Sequence, residues 1–263
     1  MARIVVLLKD IVDITDMKID PSTRQTRTEG MKTKISDLDK RALEAAIRLK
    51  ESGGGEVIAL SMGGPKTRTA LLEALAMGAD SAYIVNDGGL VGVDALSTSK
   101  VLKAAIEKIG DYDLILAGEM TLDSLSAQVG PRLAELLDLP QVTYVRGLEL
   151  GDGALEAVRD LEDVDEVVEV ELPAVVSVVR EINEARIPSL MNIMKAKKKP
   201  TEEWYAEALG LSAEEIRGGS SVEVLGVEAP KVERKRVVIE AETVEEAAEK
   251  LAEAIVAEGV LEG

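Results

Sequence analysis

Residues Ile35–Pro65 read ISDLDKRALEAAIRLKESGGGEVIALSMGGP, and the order of residue types in that stretch decides the fold. Ser36 stands where a helix cap belongs, and Leu38, Ala42, Ala45, Ala46 and Leu49 recur behind it at helical spacing. Gly53, Gly54 and Gly55 then stop the helix, because glycine enters the left-handed conformation of a helix end without steric penalty. Val57 to Ser61 follows as the next strand, opening with the apolar run Val57 to Leu60. A helix joined through a tight glycine turn to a strand is one unit of a parallel α/β sheet.

The pattern repeats on both sides. Upstream, Arg3 to Lys9 is another short apolar run, separated from the helix by a polar, turn-rich stretch from Asp10 to Lys34. Downstream, the spacing predicts a helix over Thr67 to Met77, a strand over Ala82 to Val85, a helix over Asp94 to Ile109, a strand over Leu114 to Ala117 and a helix over Ser126 to Leu137. After Gln141 the rhythm changes. Val145 to Val179 contains Gly151-Asp152-Gly153 and alternating segments such as VVEVEL, which predict antiparallel strands extending the sheet. Beyond Pro200 the chain is acidic and mixed, with Trp204 and Tyr205 beside Leu209 and a break at Gly218-Gly219-Ser220-Ser221. A last helix, Thr243 to Glu258, carries Val244, Ala247, Ala248, Leu251 and Ile255 on one face. The division this predicts is an α/β domain with its extension over residues 1–200 and an arm over 201–263; no internal repeat is evident.

Composition narrows the function. A formal net charge of −18 argues against nucleic acid as a partner, since phosphate binding rests on neutralisation by lysine and arginine. Apolar runs such as Ile4 to Leu8 are too short to span a bilayer, and MARIVVLLKD has no small-residue cleavage site, so a cytoplasmic protein without membrane insertion is expected. With no cysteine and no histidine, thiolate iron–sulfur ligation, histidine-ligated haem, ordinary zinc sites and histidine-based triads lack their residues. Redox chemistry on this chain would need an organic cofactor. Asp10, Asp13, Asp16 and Asp20 lack the glycine and terminal glutamate of a calcium loop and read as solvated carboxylates, so no metal site is expected. No residue stands in the setting of an activated nucleophile or general base.

In an open parallel sheet, ligands bind beyond the carboxyl ends of the strands, so the loops after Lys9, Ser61 and Gly118 are expected to meet at one crevice. Ser61-Met62-Gly63-Gly64-Pro65 offers unobstructed amides before a helix, although glycine pairs after strands are also ordinary turns. Asp123 to Arg132, DSLSAQVGPR, begins with hydroxyls and a carboxylate and enters a helix whose amides can hold a pyrophosphate; an ordinary N-capped helix with Pro131 in its first turn reads the same way. Neither GxGxxG nor GxxxxGK[ST] is present. Glu181 to Pro200, EINEARIPSLMNIMKAKKKP, places Leu190, Met191, Ile193 and Met194 after Pro188 on what reads as a loop, followed by Lys195, Lys197, Lys198 and Lys199. An apolar centre with a basic rim is a handle for another protein; the alternative is a solvated lysine run after a buried turn.

Residues 183–200 resemble the recognition loop of electron transfer flavoprotein beta subunits, whose pattern reads NEPR, PSL, IMKAKKK; Ala185 stands where the family carries proline. Val158-Arg159, the acidic Asp160, Glu162, Asp163, Asp165 and Glu166, and ELPAVVSV over Glu171 to Val178 resemble that family's second signature, so the likeness covers most of the chain. The resemblance implies a Rossmann-like three-layer α/β/α fold of the adenine nucleotide alpha hydrolase-like type, with an antiparallel extension and a C-terminal arm contacting an alpha subunit in a heterodimer. It implies that Leu190, Met191, Ile193, Met194 and Lys195 dock a redox partner, an acyl-CoA dehydrogenase-like protein or a quinone oxidoreductase. For the nucleotide it implies Leu7, Lys9 and Asp10; Ser36, Asp37, Leu38 and Asp39; Ser61, Met62 and Gly63; and Asp123, Ser124, Leu125, Ser126, Ala127, Gln128, Val129, Gly130, Pro131, Arg132, Leu133 and Ala134. Ordinary members carry a run like DDDxNQTGQ and bind structural AMP, whereas the flavin-bifurcating, FixA-like group reads DGDTAQVGP. AQVGP at Ala127 to Pro131 and LPQVTYV at Leu139 to Val145 are similar to the second group, which implies FAD in this subunit, NADH as electron donor and NADH oxidation within a bifurcating complex; Ser124-Leu125-Ser126 departs from its GDT. The ordinary AMP-binding carrier stays open as an alternative. So does a universal-stress-type nucleotide-binding protein, which shares the sheet topology and against which PSLMNIMKAKKK stands.

Overall fold

The computed structural model describes residues 1–28, 30–151, 153–231 and 234–259. The strands are β1 (Ala2–Leu8), β2 (Asp10–Val12), β3 (Lys18–Ile19), β4 (Thr26–Arg27), β5 (Thr33–Ile35), β6 (Gly55–Gly63), β7 (Ser81–Asn86), β8 (Leu114–Gly118), β9 (Gln141–Leu150), β10 (Ala154–Leu161), β11 (Val164–Glu171), β12 (Ala174–Val178) and β13 (Thr201–Trp204). The α-helices are α1 (Asp37–Gly53), α2 (Thr67–Met77), α3 (Ala95–Ile109), α4 (Val129–Leu137), α5 (Leu190–Ala196), α6 (Ala213–Gly218) and α7 (Val244–Ala257). Nine of the strands form one sheet in the order β11-β10-β9-β12-β8-β1-β6-β7-β13, parallel from β9 to β13 and antiparallel through β9, β10 and β11. The short strands β2 and β5 pair with each other after β1.

Alternation along β1 builds the two halves of the core. Ile4, Val6 and Leu8 point into one apolar layer with α1 and α2, while Val5 and Leu7 point into the other with α3 and α4. Val6 lies between Ala59 and Leu116 in register, and Ile4, Val5 and Val6 are fully buried. Burying such a side chain stabilises the fold by about 1.5–3 kcal/mol, and truncating one, for example Ile58→Ala, costs about 2–5 kcal/mol. The result is the three-layer α/β/α architecture.

Four local expectations are corrected. The helix predicted from Ser126 starts at Val129, because Leu125 and Ala127 take left-handed backbone angles of φ 49° and 50° that no α-helix tolerates. Val145 to Val179 is not antiparallel throughout: β12 runs parallel between β8 and β9 and is buried along its whole length, so its apolar run marks a central strand. The loop expected at Leu190 to Met194 is a short helix, α5, started by Ser189, whose hydroxyl accepts from the Asn192 amide at 3.2 Å. Thr201–Trp204, which the sequence division assigns to the arm, is the edge strand beside β7. Ser36 does precede α1, yet its hydroxyl makes no capping bond and is buried without a partner. Asp152, expected at the tip of the first hairpin, lies outside the described residues, as do residues 260–263 of the arm.

The chain divides into two compact units, Met1–Lys18 with Arg27–Gly226, and Ile19–Thr26 with Val227–Gly263. The first holds the sheet. In the second, the Ala229 amide donates to the Arg24 carbonyl at 2.8 Å, Arg24 pairs with Glu228, and Thr243 caps α7 through the Glu246 amide. No residue of α7 is buried.

Candidate functional site

The crevice at the carboxyl ends of β1, β6 and β8 holds a cavity of 420 Å³, within the range of about 300–1,000 Å³ usual for small-molecule sites. Its floor is set by one side chain. Asp39, in the first turn of α1, turns its carboxylate onto the sheet and accepts from the Lys9 amide at 2.8 Å and the Gly118 amide at 3.0 Å, joining the ends of β1 and β8. Burial raises its pKa to about 7, against the opposing pull of those two amides and of the Lys9 ammonium. Gly118 must be glycine here, since a Cβ would stand 2.6 Å from Asp39 Oδ1 and 2.7 Å from its amide nitrogen.

One wall is the loop before α4. Lys9 Nζ reaches Asp123 at 2.8 Å, and Thr121 Oγ1 bonds Asp123 at 2.6 Å and the Ser124 hydroxyl at 3.0 Å, so the loop is braced onto β1. Burial works to raise the Asp123 pKa, and the bonds from Lys9 and Thr121 outweigh it and hold the carboxyl below its ordinary value. Ser124 and Ser126 line the cavity. The start of α4 carries no side-chain cap: Gln128 Oε1 accepts from Arg132 Nε at 2.9 Å instead of turning to the helix amides. Val129 and Gly130 line the cavity, and as first-turn residues of α4 their amides have no carbonyl one turn back to bond. That is the donor set an anion, phosphate above all, requires.

Of the residues predicted for the nucleotide, Leu7, Lys9, Asp39, Met62, Ser124, Ser126, Ala127, Gln128, Val129 and Gly130 line this one cavity. The others do different things. Ser61 is buried and donates to the Leu8 carbonyl at 2.7 Å; Gly63 packs so closely on Thr67 that a Cβ would lie 2.2 Å from its hydroxyl; Asp37 pairs with Lys34 at 3.1 Å. Asp10 sits on β2 opposite Ile35, Ser36 precedes α1 and Leu38 is in its first turn, Leu125 is exposed, and Pro131 and Arg132 do not line the cavity. Leu133 and Ala134 are fully buried in the core layer shared with α3. Sequence reasoning missed the opposite wall, formed by Asp94, Thr98 and Val222. Asp94 caps α3 through the Ser97 amide and also accepts from the Ser221 amide, both at 2.8 Å, which brings Val222 over the cavity. The Asp94-x-x-Ser97 cap was legible in sequence; its second partner, over a hundred residues away, was not.

A second feature is α5. Leu190, Met191 and Met194 are exposed on it, Ile193 packs against the core, and Ile187, which sequence reasoning passed over, is 94% exposed just before it. Lys199 does not belong to the basic rim: its ammonium donates to the carbonyls of Leu75 and Ala79 at 2.9 and 2.5 Å, and burial lowers its pKa. No helix among the described residues is long and apolar enough to cross a membrane.

Comparison with known proteins gives concordant results. Residues 25–209 match the family model described as electron transfer flavoprotein domain. The chain is 42% identical to the electron transfer flavoprotein subunit beta of Thermoanaerobacterium thermosaccharolyticum over 88% of this chain and 90% of that protein. It is 41% identical to the caffeyl-CoA reductase-Etf complex subunit CarD of Acetobacterium woodii, covering 81% of each, and 34% identical to protein FixA of Sinorhizobium fredii, covering 97% of this chain and 92% of that one.

Proposed function

The chain belongs to the electron transfer flavoprotein family as a beta subunit, and from that premise we propose that it pairs with an alpha subunit, holds FAD in the crevice around α4, and takes electrons from NADH to a partner dehydrogenase or quinone oxidoreductase by flavin-based bifurcation. The observation that carries this reading is the uncapped start of α4, where Val129 and Gly130 line one cavity together with Ser124 and Ser126. The residues fit a nucleotide. Amides and hydroxyls suit phosphate oxygens, and Leu60, Met62 and Leu102 form apolar walls suited to a flat ring. AQVGP and the likeness to FixA and CarD support the bifurcating type. A bound flavin supplies hydride acceptance and onward electron transfer; the chain contributes placement and electrostatics. Leu190, Met191 and Met194 on α5 would dock the redox partner, and the assembly would work in the cytoplasm.

A second reading, the ordinary carrier with AMP in the same crevice, is favoured by Ser124, whose side chain fills space that a glycine would leave open. Nucleotide extracted from the purified heterodimer separates the two. Two FAD per heterodimer are expected, with one lost in Gly130→Glu, where a carboxylate would stand against the pyrophosphate. One FAD with one AMP would establish the second reading, and a nucleotide-free beta crevice would overturn both.

A further inference from the structure

Between β12 and α5 the backbone has one short 3₁₀ turn, Arg180–Ile182, and no ladder, yet it is hydrogen-bonded to α1 at several points. Asn183 Nδ2 donates to the Arg41 carbonyl at 3.0 Å, and Arg48 Nη2 donates to the Glu184 carbonyl at 3.2 Å. Arg186 makes the strongest attachment. Its Nε donates to Glu44 Oε2 at 2.7 Å and its Nη2 to Glu44 Oε1 at 3.2 Å, while Nη1 and Nη2 reach the two oxygens of Glu51 at 2.6 and 2.9 Å. Glu44 is 2% exposed, on the side of α1 that also carries Arg48 and Glu51, where Arg186 covers it. A carboxylate buried there is costly unless it is paired, and Arg48 alone, from the same helix, supplies one bond at 2.7 Å. The arrangement that satisfies Glu44 is therefore the one in which residues 183–186 lie down on α1.

A guanidinium gripping two carboxylates through parallel bonds sets orientation as well as distance, which a point charge does not. The far end of α5 is held as well, by Lys199 on the carbonyls of Leu75 in α2 and Ala79 just after it. Held at both ends, α5 can be a helix although its seven residues are far too few to form one alone. We propose that Arg186 and Glu44 are positioning residues for partner docking, keeping α5 preformed so that Leu190, Met191 and Met194 meet the partner in fixed geometry. This inference rests on the reading of α5 as the docking element.

The test uses the heterodimer with Arg186→Lys and, separately, Glu51→Gln, which weakens the grip without leaving a buried charge alone. Amide exchange of residues 190–196 is expected to quicken by about tenfold or more in Arg186→Lys and by less in Glu51→Gln. The acceptor protein's KM should rise several-fold, with kcat at saturating acceptor, nucleotide content and reduction of a small dye unchanged. Unchanged exchange in both variants would overturn the proposal. Faster exchange with an unchanged KM would also overturn it as a docking device. Leu190→Ala, run in parallel, says which step failed: if it raises KM, the clamp alone is wrong, and if it does not, the docking reading of α5 is wrong and the inference falls with it.

Discussion

At the scale of single residues, Asp39 links the sheet to the crevice. Its carboxyl would titrate near 3.8 in the unfolded chain and titrates at about 7 in the fold, so the fold prefers the protonated form. That contribution to stability is complete below the unfolded pKa and is lost progressively as pH rises through about 7. In Asp39→Asn one amide donor keeps its acceptor and the other meets an NH₂, a loss of about 1–3 kcal/mol that does not vary with pH. Urea unfolding of parent and variant should therefore show the largest difference at about pH 4 and the smallest above about pH 7; a constant difference across that window would mean that Asp39 is ionised throughout. The same clip makes Gly118→Ala informative. Its Cβ would collide with the Asp39 carboxylate and backbone, so it should cost about 1–3 kcal/mol in unfolding and weaken nucleotide retention, whereas Gly130→Ala, with its nearest neighbour 3.8 Å away, should fold normally.

At the scale of elements, α5 separates exposed from core-packed side chains along seven residues. Leu190 is 78% exposed, so Leu190→Ala should leave folding and cofactor content untouched while weakening the acceptor complex by about 1–3 kcal/mol, the cost of removing an interface anchor. Ile193 packs on the core from the same helix, and Ile193→Ala should instead lower thermal stability by about 1–2 kcal/mol. Stopped-flow electron delivery and calorimetry measure the two effects, and identical behaviour of the variants would remove the distinction. Parts of this were legible beforehand. The helix α1, the strand β6 and their glycine turn follow from periodicity alone, because each buries its apolar side chains at the spacing its geometry imposes. The crevice followed from topology, since parallel strands must deliver their carboxyl ends to one side. What escaped was set by distant partners. The helix ahead of Val129 is unwound by two left-handed residues, neither a glycine, and β12 is central because β8 and β9 flank it, which its neighbours in sequence do not reveal. The chemistry of Glu44 depends on Arg186, 142 residues away. Lys199 looked like the rest of its lysine run until the carbonyls of Leu75 and Ala79 claimed it.

At the scale of the whole molecule, the two units differ in how they are held together. The sheet unit encloses two apolar layers, each with more than a dozen buried residues. The unit of Ile19–Thr26 with Val227–Gly263 has no buried residue on α7, and Val237, Val238, Leu251 and Val256 stand exposed in it. A segment of that size with no buried side chain among its described residues gains little to offset the entropy of ordering its backbone, and an arm of this kind is expected to be covered by a partner protein. The alpha subunit is the partner the family offers. In limited proteolysis of the chain expressed alone, cuts should fall within residues 227–259 while the sheet unit survives, and addition of the alpha subunit should protect them. Removal of residues after Gly226 should leave the thermal transition of the sheet unit in place and weaken heterodimer assembly by at least tenfold, about 1.4 kcal/mol or more, by sedimentation or titration. Equal affinity of the truncated and full chains would show that the arm does not hold the alpha subunit, and protection of residues 227–259 in the isolated chain would show that the arm is stable without it.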